Sequence, residues 1–285
     1  MRARPAARLR LRRQRFCPVY GGIAVGESSN SWLPVAAYLY VLTLDGPALA
    51  WEYLRRNADY RCDWDRARRD PARFAAQWGL AFPEDPDLDA RSAQPMWRTD
   101  PDTLVRIAAD DSDGATDAAP FSLWAIQGRK SLLHDGRRLF LAAVFGARVL
   151  RVAIASDVCD GGSFAYVIRS GPRAAARWQG VQENLTALRA ADPARRYALS
   201  PRPGRLAVLH MRALQAIDGR AAGASQRDIA AAIFGEGRVA EDWHADSELR
   251  AQTRHLIHRG QALMRGEYRR LICRGITRRY GDRRH

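Results

Sequence analysis

Apolar positions recur with a helical period toward both ends of the chain and in short alternating or continuous runs in its middle. Between about residues 30 and 100, Asp45 precedes Gly46-Pro47 and then ALAWEYLRRN, while Asp70 precedes Pro71 and then ARFAAQWG, which closes at Gly79. An aspartate cap, a proline in the first turn and a glycine just past the end predict two helices. DYRCDWDRARRD between them predicts a third. Trp51, Tyr53, Leu54, Tyr60, Trp64, Phe74 and Trp78 supply the apolar faces, and a small helical core is favoured over a platform for stacked bases.

The middle of the chain changes period. LFLAAVF, VLRVAIA and SFAYVIR are short runs rich in β-branched and aromatic residues, separated by HDGRR, FGAR and CDGG. Glycine-bearing gaps of that length predict an antiparallel meander. A helix is expected from about Pro172 to Ala190, with Trp178, Val181, Leu185 and Leu188 at helical spacing. AFPEDPDLDARSAQPMWRTDPDT is a proline- and acid-rich connector, and SPRPG at 200–204 a hinge. DDSDG at 110–114 invites a calcium-loop reading, but with Asp111 counted first the twelfth position is Ser122 instead of a bidentate glutamate, so it reads as solvated linker.

Three helical patterns follow the hinge. RLAVLHMRALQAIDG places Leu206, Leu209, Ala213 and Ile217 on one face and is expected to stop at Gly219, with His210 as a structural histidine near that face. Ser225 and Asp228 form an S-x-x-D capping arrangement ahead of Ile229, Ala232 and Ile233, and Phe234-Gly235 ends the pattern. The third pattern begins at Asp246 or Ser247 and runs to Met264. Stepping about 100° per residue gathers Leu249, Thr253, Leu256, Ile257, Gly260, Leu263 and Met264 into one inward stripe. Ala251, Arg254, His255, His258, Ala262 and Arg265 fall opposite, with Arg250 and Gln261 flanking one side and Gln252 and Arg259 the other.

The pattern predicts an α+β chain: an N-terminal small helical domain, a central antiparallel β meander with a helix, and a C-terminal variant helix-turn-helix. The expected divisions are a basic arm or mis-assigned start at 1–29, helices at 30–100, a linker at 101–119, a β-rich region at 120–200, and the helix-turn-helix with its basic tail at 201–285. The 285 residues suffice for two or three domains, and 47% hydrophobic residues with eight tryptophans exclude wholesale disorder.

Charge sharpens the picture at the ends. Residues 1–28 carry seven arginines against Glu27, and 29–201 are nearly balanced, with 22 basic and 21 acidic side chains. Residues 202–285 carry 17 basic against nine acidic, and within 250–285 eleven arginines face only Glu267 and Asp282. Positive charge gathered this way suits a polyanionic partner. All but one of the 46 basic residues are arginine, Lys130 being the exception, so composition contributes to the count.

Rival chemistries find little support. Cys17, Cys62, Cys159 and Cys273 are isolated, which suits free thiols in a reducing cytoplasm. The most apolar run, residues 139–155, is interrupted by Arg148 and Arg151, so no membrane span is expected. His255 and His258 could join His244 or Cys273 around a metal, but no regular ligand spacing supports this. RHLIHRG has the wrong spacing for a strand-transfer site, leaving Tyr268 and Tyr280 to packing or backbone contact. No G-x-S-x-G or Walker sequence occurs, so no catalysis and no cofactor are expected.

A helix laid in a major groove wants long donors, able to reach guanine edges or phosphates, interleaved with small residues that let it sink in. The candidate DNA-contacting residues are therefore Gln226 and Arg227 at a helix N-terminus, and Arg250, Ala251, Arg254, His255, His258, Arg259 and Arg265 on the long helix. Arg250, Arg254, His258 and Arg259 are expected to do most of the reading and phosphate pairing. One departure from the usual motif is the connector GEGRVAEDWHAD at 235–246, in place of a three- or four-residue turn.

ASQRDIAAAIFG followed by DW and LRAQTRHLIHRGQALMRGEYRRLI resembles the RovC-like DNA-binding domain. WEYLRRNADYRCDWDRARRDPARFAAQWGLAFPEDP resembles the transcriptional regulator-like domain that often precedes it. Together the matches cover roughly residues 30 to 100 and 120 to 275. The arrangement is similar to activators of excision and transfer of integrative conjugative elements, and one branch of the family regulates type VI secretion. The resemblance implies a bacterial, cytoplasmic transcriptional regulator bound to double-stranded DNA. Relatives holding only the C-terminal domain act as antiactivators, so possession of both domains points to an activator. RNA polymerase or an antiactivator protein is a further expected partner. The alternative is an antiactivator-like protein-interaction module whose helix-turn-helix shape binds another regulator or RNA polymerase, and a homo-oligomer is compatible with either.

Overall fold

The computed structural model describes residues 31–273 apart from 65–66, 68, 100, 111–119, 127, 137, 146–147 and 190–203. The basic arm, the DDSDG segment beyond Asp110, most of the SPRPG hinge and the basic tail with Tyr280 lie outside the described residues.

The aspartate caps form as expected. Asp45 accepts from the Ala48 N–H at 2.9 Å and starts α1 (Gly46–Leu54). Asp70 accepts from the Arg73 N–H at 3.1 Å and starts α3 (Pro71–Trp78), which stops at left-handed Gly79. α2 (Ala58–Trp64) lies between them, and a 3-10 helix (Val35–Thr43) precedes all three. Trp51, Tyr60, Phe74, Trp78 and Trp64 interlock edge to face or tilted, with ring centroids 5.2 to 5.9 Å apart, which makes the predicted aromatic set a core.

The sheet holds β1 (Val105–Ala109), β2 (Arg129–His134), β3 (Arg138–Phe145), β4 (Arg148–Ala155) and β5 (Phe164–Tyr166). β3 and β4 pair antiparallel as expected, but the third strand of that meander is β2, from RKSLLH, which carries no strand pattern of its own, while SFAYVIR supplies β5 away from β4. β1 comes from the stretch read as linker. It pairs parallel with β4 and antiparallel with β5, giving the order β2-β3-β4-β1-β5. VRIAA was too short and too close to the acid-rich connector to stand out as a strand. α4 (Ala174–Arg189) sets Val181 and Leu185 against Val105, Ile107, Leu141, Leu150, Val152 and Ile154. From the other face, Phe140 and Ala153 meet Met96 and Phe82 of the connector and Leu104 just after it. Arg151, which interrupted the apolar run, is buried and forms an ion pair with the cap residue Asp45.

The C-terminal helices are α5 (Arg205–Ala221), α6 (Gln226–Phe234), α7 (Glu236–Asp242), α8 (Glu248–Ala262) and α9 (Arg269–Ile272), with a π-helical turn (Leu263–Glu267) between the last two. Gly219, read as a stop, lies inside α5. A Cβ there would come within 3.0 Å of both Ile229 and Trp32, so glycine is needed for close approach and not for termination. Gly260 does the same where α8 crosses α5, since a Cβ would lie 2.4 Å from Ile217 Cγ2 and 3.0 Å from Ala213 O.

The two helical ends share one core. Tyr38, Leu49, Trp51, Tyr53, Phe74 and Trp97 are buried together with Met211, Leu214, Ile217, Leu263, Tyr268 and Ile272. Trp32 enters the other side of the C-terminal bundle among Ala213, Ala216, Ile229, Leu256 and Ile257, and Gln215 Nε2 donates to the Trp32 and Leu33 carbonyls. Of the face expected on α5, Ala213 and Ile217 are buried, Leu209 is half-buried and Leu206 exposed; Met211 and Leu214 take the buried places because two surfaces of α5 are covered at once.

Candidate nucleic-acid interface

Ser225 and Asp228 form a reciprocal capping box on α6, the Asp228 N–H donating to Ser225 Oγ at 3.2 Å and the Ser225 N–H to Asp228 Oδ2 at 3.0 Å. The Ser225 hydroxyl, donating to Asp228 Oδ2 at 2.7 Å, and then the Ser225 N–H draw the Asp228 pKa down. Buried Ile229 and Ala230 fix α6 against the bundle. The long connector resolves into α7, whose Val239 packs with Ala230 and Leu249 and has Trp243 alongside. An inserted helical turn therefore joins α6 to α8, which still pack together through Ile229, Leu256 and Ile257, and adds to their core.

Ser247 caps α8 by accepting from the Arg250 N–H at 3.2 Å, and Thr253 returns its hydroxyl to the Leu249 carbonyl at 2.8 Å. The inward stripe is buried at Leu249, Thr253, Leu256, Ile257, Gly260 and Leu263, and half-buried at Met264. Opposite it, Ala251, Arg254, His255, His258 and Arg265 are exposed and Ala262 is half-buried. No hydrogen bond or ion pair to another described residue engages the side chains of Arg254, His255, His258 or Arg265. Among the described residues, neither the sheet nor another helix covers this face.

The remaining candidates lie at its margins. Arg250 is half-buried and reaches the Ala245 carbonyl at 3.4 Å. Gln226 is half-buried and Arg227 exposed in the first turn of α6. Arg259 stands apart: it is half-buried, and its Nε is enclosed without a partner. Its charge bears on the buried pair Tyr53 and His210, whose hydroxyl and Nδ1 share a 2.9 Å hydrogen bond. Burial, reinforced by Arg259, lowers the His210 pKa to about 4, so this histidine is neutral and structural. Tyr268 is likewise a packing residue, buried with its hydroxyl donating to the Trp78 carbonyl at 2.9 Å. Among the described residues, no group of three or more His, Cys, Asp or Glu could hold a metal ion.

Sequence reasoning missed the seam beside α8. Arg56 donates to both Asp218 oxygens at 2.7 and 2.9 Å and to Glu52 at 2.5 Å, while Tyr38 donates to Asp218 at 2.8 Å. Glu52 is fully buried and also accepts from Arg55 Nε at 2.8 Å and the Ala90 N–H at 2.6 Å. Burial alone would raise its pKa, but Arg56 and Arg55 overcome it and hold the carboxyl at about 2. Asn57 Nδ2 donates to the Met264 carbonyl at 2.9 Å, tying the α1–α2 turn to the end of α8. No local pattern marks Arg56 and Asp218 as partners, because only folding brings them together.

A short helix, a braced second helix and an uncovered cationic face define a DNA-binding domain of the helix-turn-helix kind. Residues 167–273 match the RovC family model, described as "T6SS, Transcription factor, DNA binding domain". Residues 31–83 match a "Proteobacterial transcriptional regulator-like domain", and residues 102–148 match a domain of unknown function. The chain is thus a transcriptional regulator that carries a RovC-type DNA-binding domain behind a transcriptional regulator-like domain, and neither family is an enzyme family. No curated protein matches the chain. Among the described residues, no helix is long and apolar enough to cross a membrane.

Proposed function

We propose that the protein is a cytoplasmic, sequence-specific activator of transcription that seats α8 in the major groove of its operator. The carrying observation is the exposed, unengaged row of Arg254, His255, His258 and Arg265 on a helix braced from behind by α5 and α6. Arg254 reads bases or pairs with phosphate near the middle of the row, and Ala251 allows close approach. His255, His258, Arg265 and Arg250 extend the contact along the groove. The first turn of α6, with Gln226 and Arg227, meets the backbone through its capped N-terminus. Arg259 sits at the edge of the contact, where its charge steers more than it reads. The activator assignment rests on the pairing of the two domains, and its genes are those of mobile-element transfer or secretion.

Selecting bound sequences from a random duplex pool identifies the operator, and a reporter carrying it should be transcribed more when the protein is present. Arg254→Ala should weaken operator binding by about 1–3 kcal/mol while leaving the unfolding midpoint unchanged. If Arg254→Ala binds the operator as the wild type does, α8 is not the reading helix. Binding that ignores salt would favour a protein-docking module instead.

A further inference from the structure

Beside α8 runs a furrow of about 550 Å³ lined by Arg55, Arg56, Ala58, Arg61, Ile217, Asp218, Arg220, Gln261 and Met264, among others. Its walls come from both family domains: the α1–α2 turn on one side, the end of α5 and the last turn of α8 on the other. Its arginines are not equivalent. Arg55 and Arg56 are committed to buried Glu52 and to Asp218, so they make a neutral, rigid floor. Arg61 and Arg220 form the rim. The Arg61 side chain is 47% exposed; its Nη1 reaches the Pro86 and Arg55 carbonyls at 3.2 and 3.4 Å, and its Nη2 pairs with Asp87, itself 75% exposed, an ion pair open to exchange because water screens it. Arg220 is exposed and, among the described residues, donates to the Ala224 carbonyl. Gln261, on the near wall, lies about 20° round α8 from Arg254, so the rim continues the exposed face of that helix.

We infer that this furrow takes the sugar–phosphate backbone flanking the bases read by α8, with Arg61 and Arg220 each pairing with a phosphate. The transcriptional regulator-like region therefore contributes to DNA contact and does more than brace the DNA-binding domain. This rests on α8 being the reading helix. Backbone phosphate suits the furrow because the site is an open channel rimmed by separated cations, and because its anions are already neutralised within the floor. Such contacts fix orientation and affinity without choosing bases.

The test compares full-length wild type with Arg61→Ala/Arg220→Ala, the charge-conserving Arg61→Lys/Arg220→Lys, and Arg129→Ala as an exposed sheet-edge background. Binding to the selected operator and to unrelated duplex is measured against salt, and backbone phosphates are ethylated to map those whose modification interferes. The alanine pair should lower the log–log salt slope by about two, weaken both DNAs alike and lose interference at flanking phosphates. The lysine pair should restore the slope, and Arg129→Ala should leave it unchanged. A slope and interference map identical to wild type in the alanine pair overturns the furrow assignment alone. Failure of the wild type to bind any duplex overturns the reading of α8 and this inference with it.

Discussion

The outer face of α8 and the seam behind it both carry arginines, in opposite environments. Outside, Arg254 and Arg265 stand in water with no partner among the described residues. In the seam, Arg56 is saturated by Glu52 and Asp218, and Arg259 lies with its Nε enclosed near His210 and Tyr53. A guanidinium already desolvated and paired has little left to offer a phosphate. One held in water by a rigid helix retains its full binding capacity. In an arginine-rich chain, environment separates exposed arginines from braces where residue identity cannot.

That contrast can be broken at several points. The largest effect belongs to the seam: Glu52→Ala leaves Arg55, Arg56 and the Ala90 N–H without their shared buried acceptor, and should cost about 3–5 kcal/mol in urea unfolding. Gly260→Ala follows, because the new methyl meets Ile217 and the Ala213 carbonyl at the α5–α8 crossing; about 1–3 kcal/mol of stability should be lost despite alanine's helix preference. A stable Gly260→Ala protein would mean that the two helices slide apart easily. Arg254→Ala inverts the pattern of Glu52→Ala, lowering DNA affinity and sparing stability.

Smaller effects appear with pH. His210 titrates near 6.5 when unfolded and at about 4 when folded, so the unfolded chain binds the extra proton first. Its contribution is complete above pH 6.5 and fades as pH falls toward 4. Glu52, at about 2 folded against 4.5 unfolded, extends the loss from pH 4.5 downward. Unfolding free energy measured across pH 7 to 4 should therefore decline, and His210→Gln should flatten that segment. Smallest of all, Arg259→Met should raise the His210 pKa, read by proton NMR, because it removes a nearby positive charge. No movement of that resonance would place Arg259 outside the seam.

Much of the candidate interface was legible because it depends on local rules. The Ser225–Asp228 box, the Ser247 cap and the alternation of buried and exposed positions along α8 follow from spacing and side-chain chemistry within a few residues. Arg259 marks the limit of that logic. On a helical wheel it flanks the exposed stripe, but α1 and α5 close over that flank. β1 marks another, since its five residues acquire strand character by pairing with β4 and β5.

The sequence by itself determined where the capped helices α1, α3, α6 and α8 start, which face of α8 is apolar, and where positive charge gathers, because these follow from short-range hydrogen bonding and periodic hydrophobicity. Tertiary structure alone decided that the two helical ends bury their apolar faces in one core, that Arg56 meets Asp218, and that a furrow opens beside α8. Those contacts join residues far apart in the chain, and the free energy that selects them comes from surface removed from water only after both partners have formed.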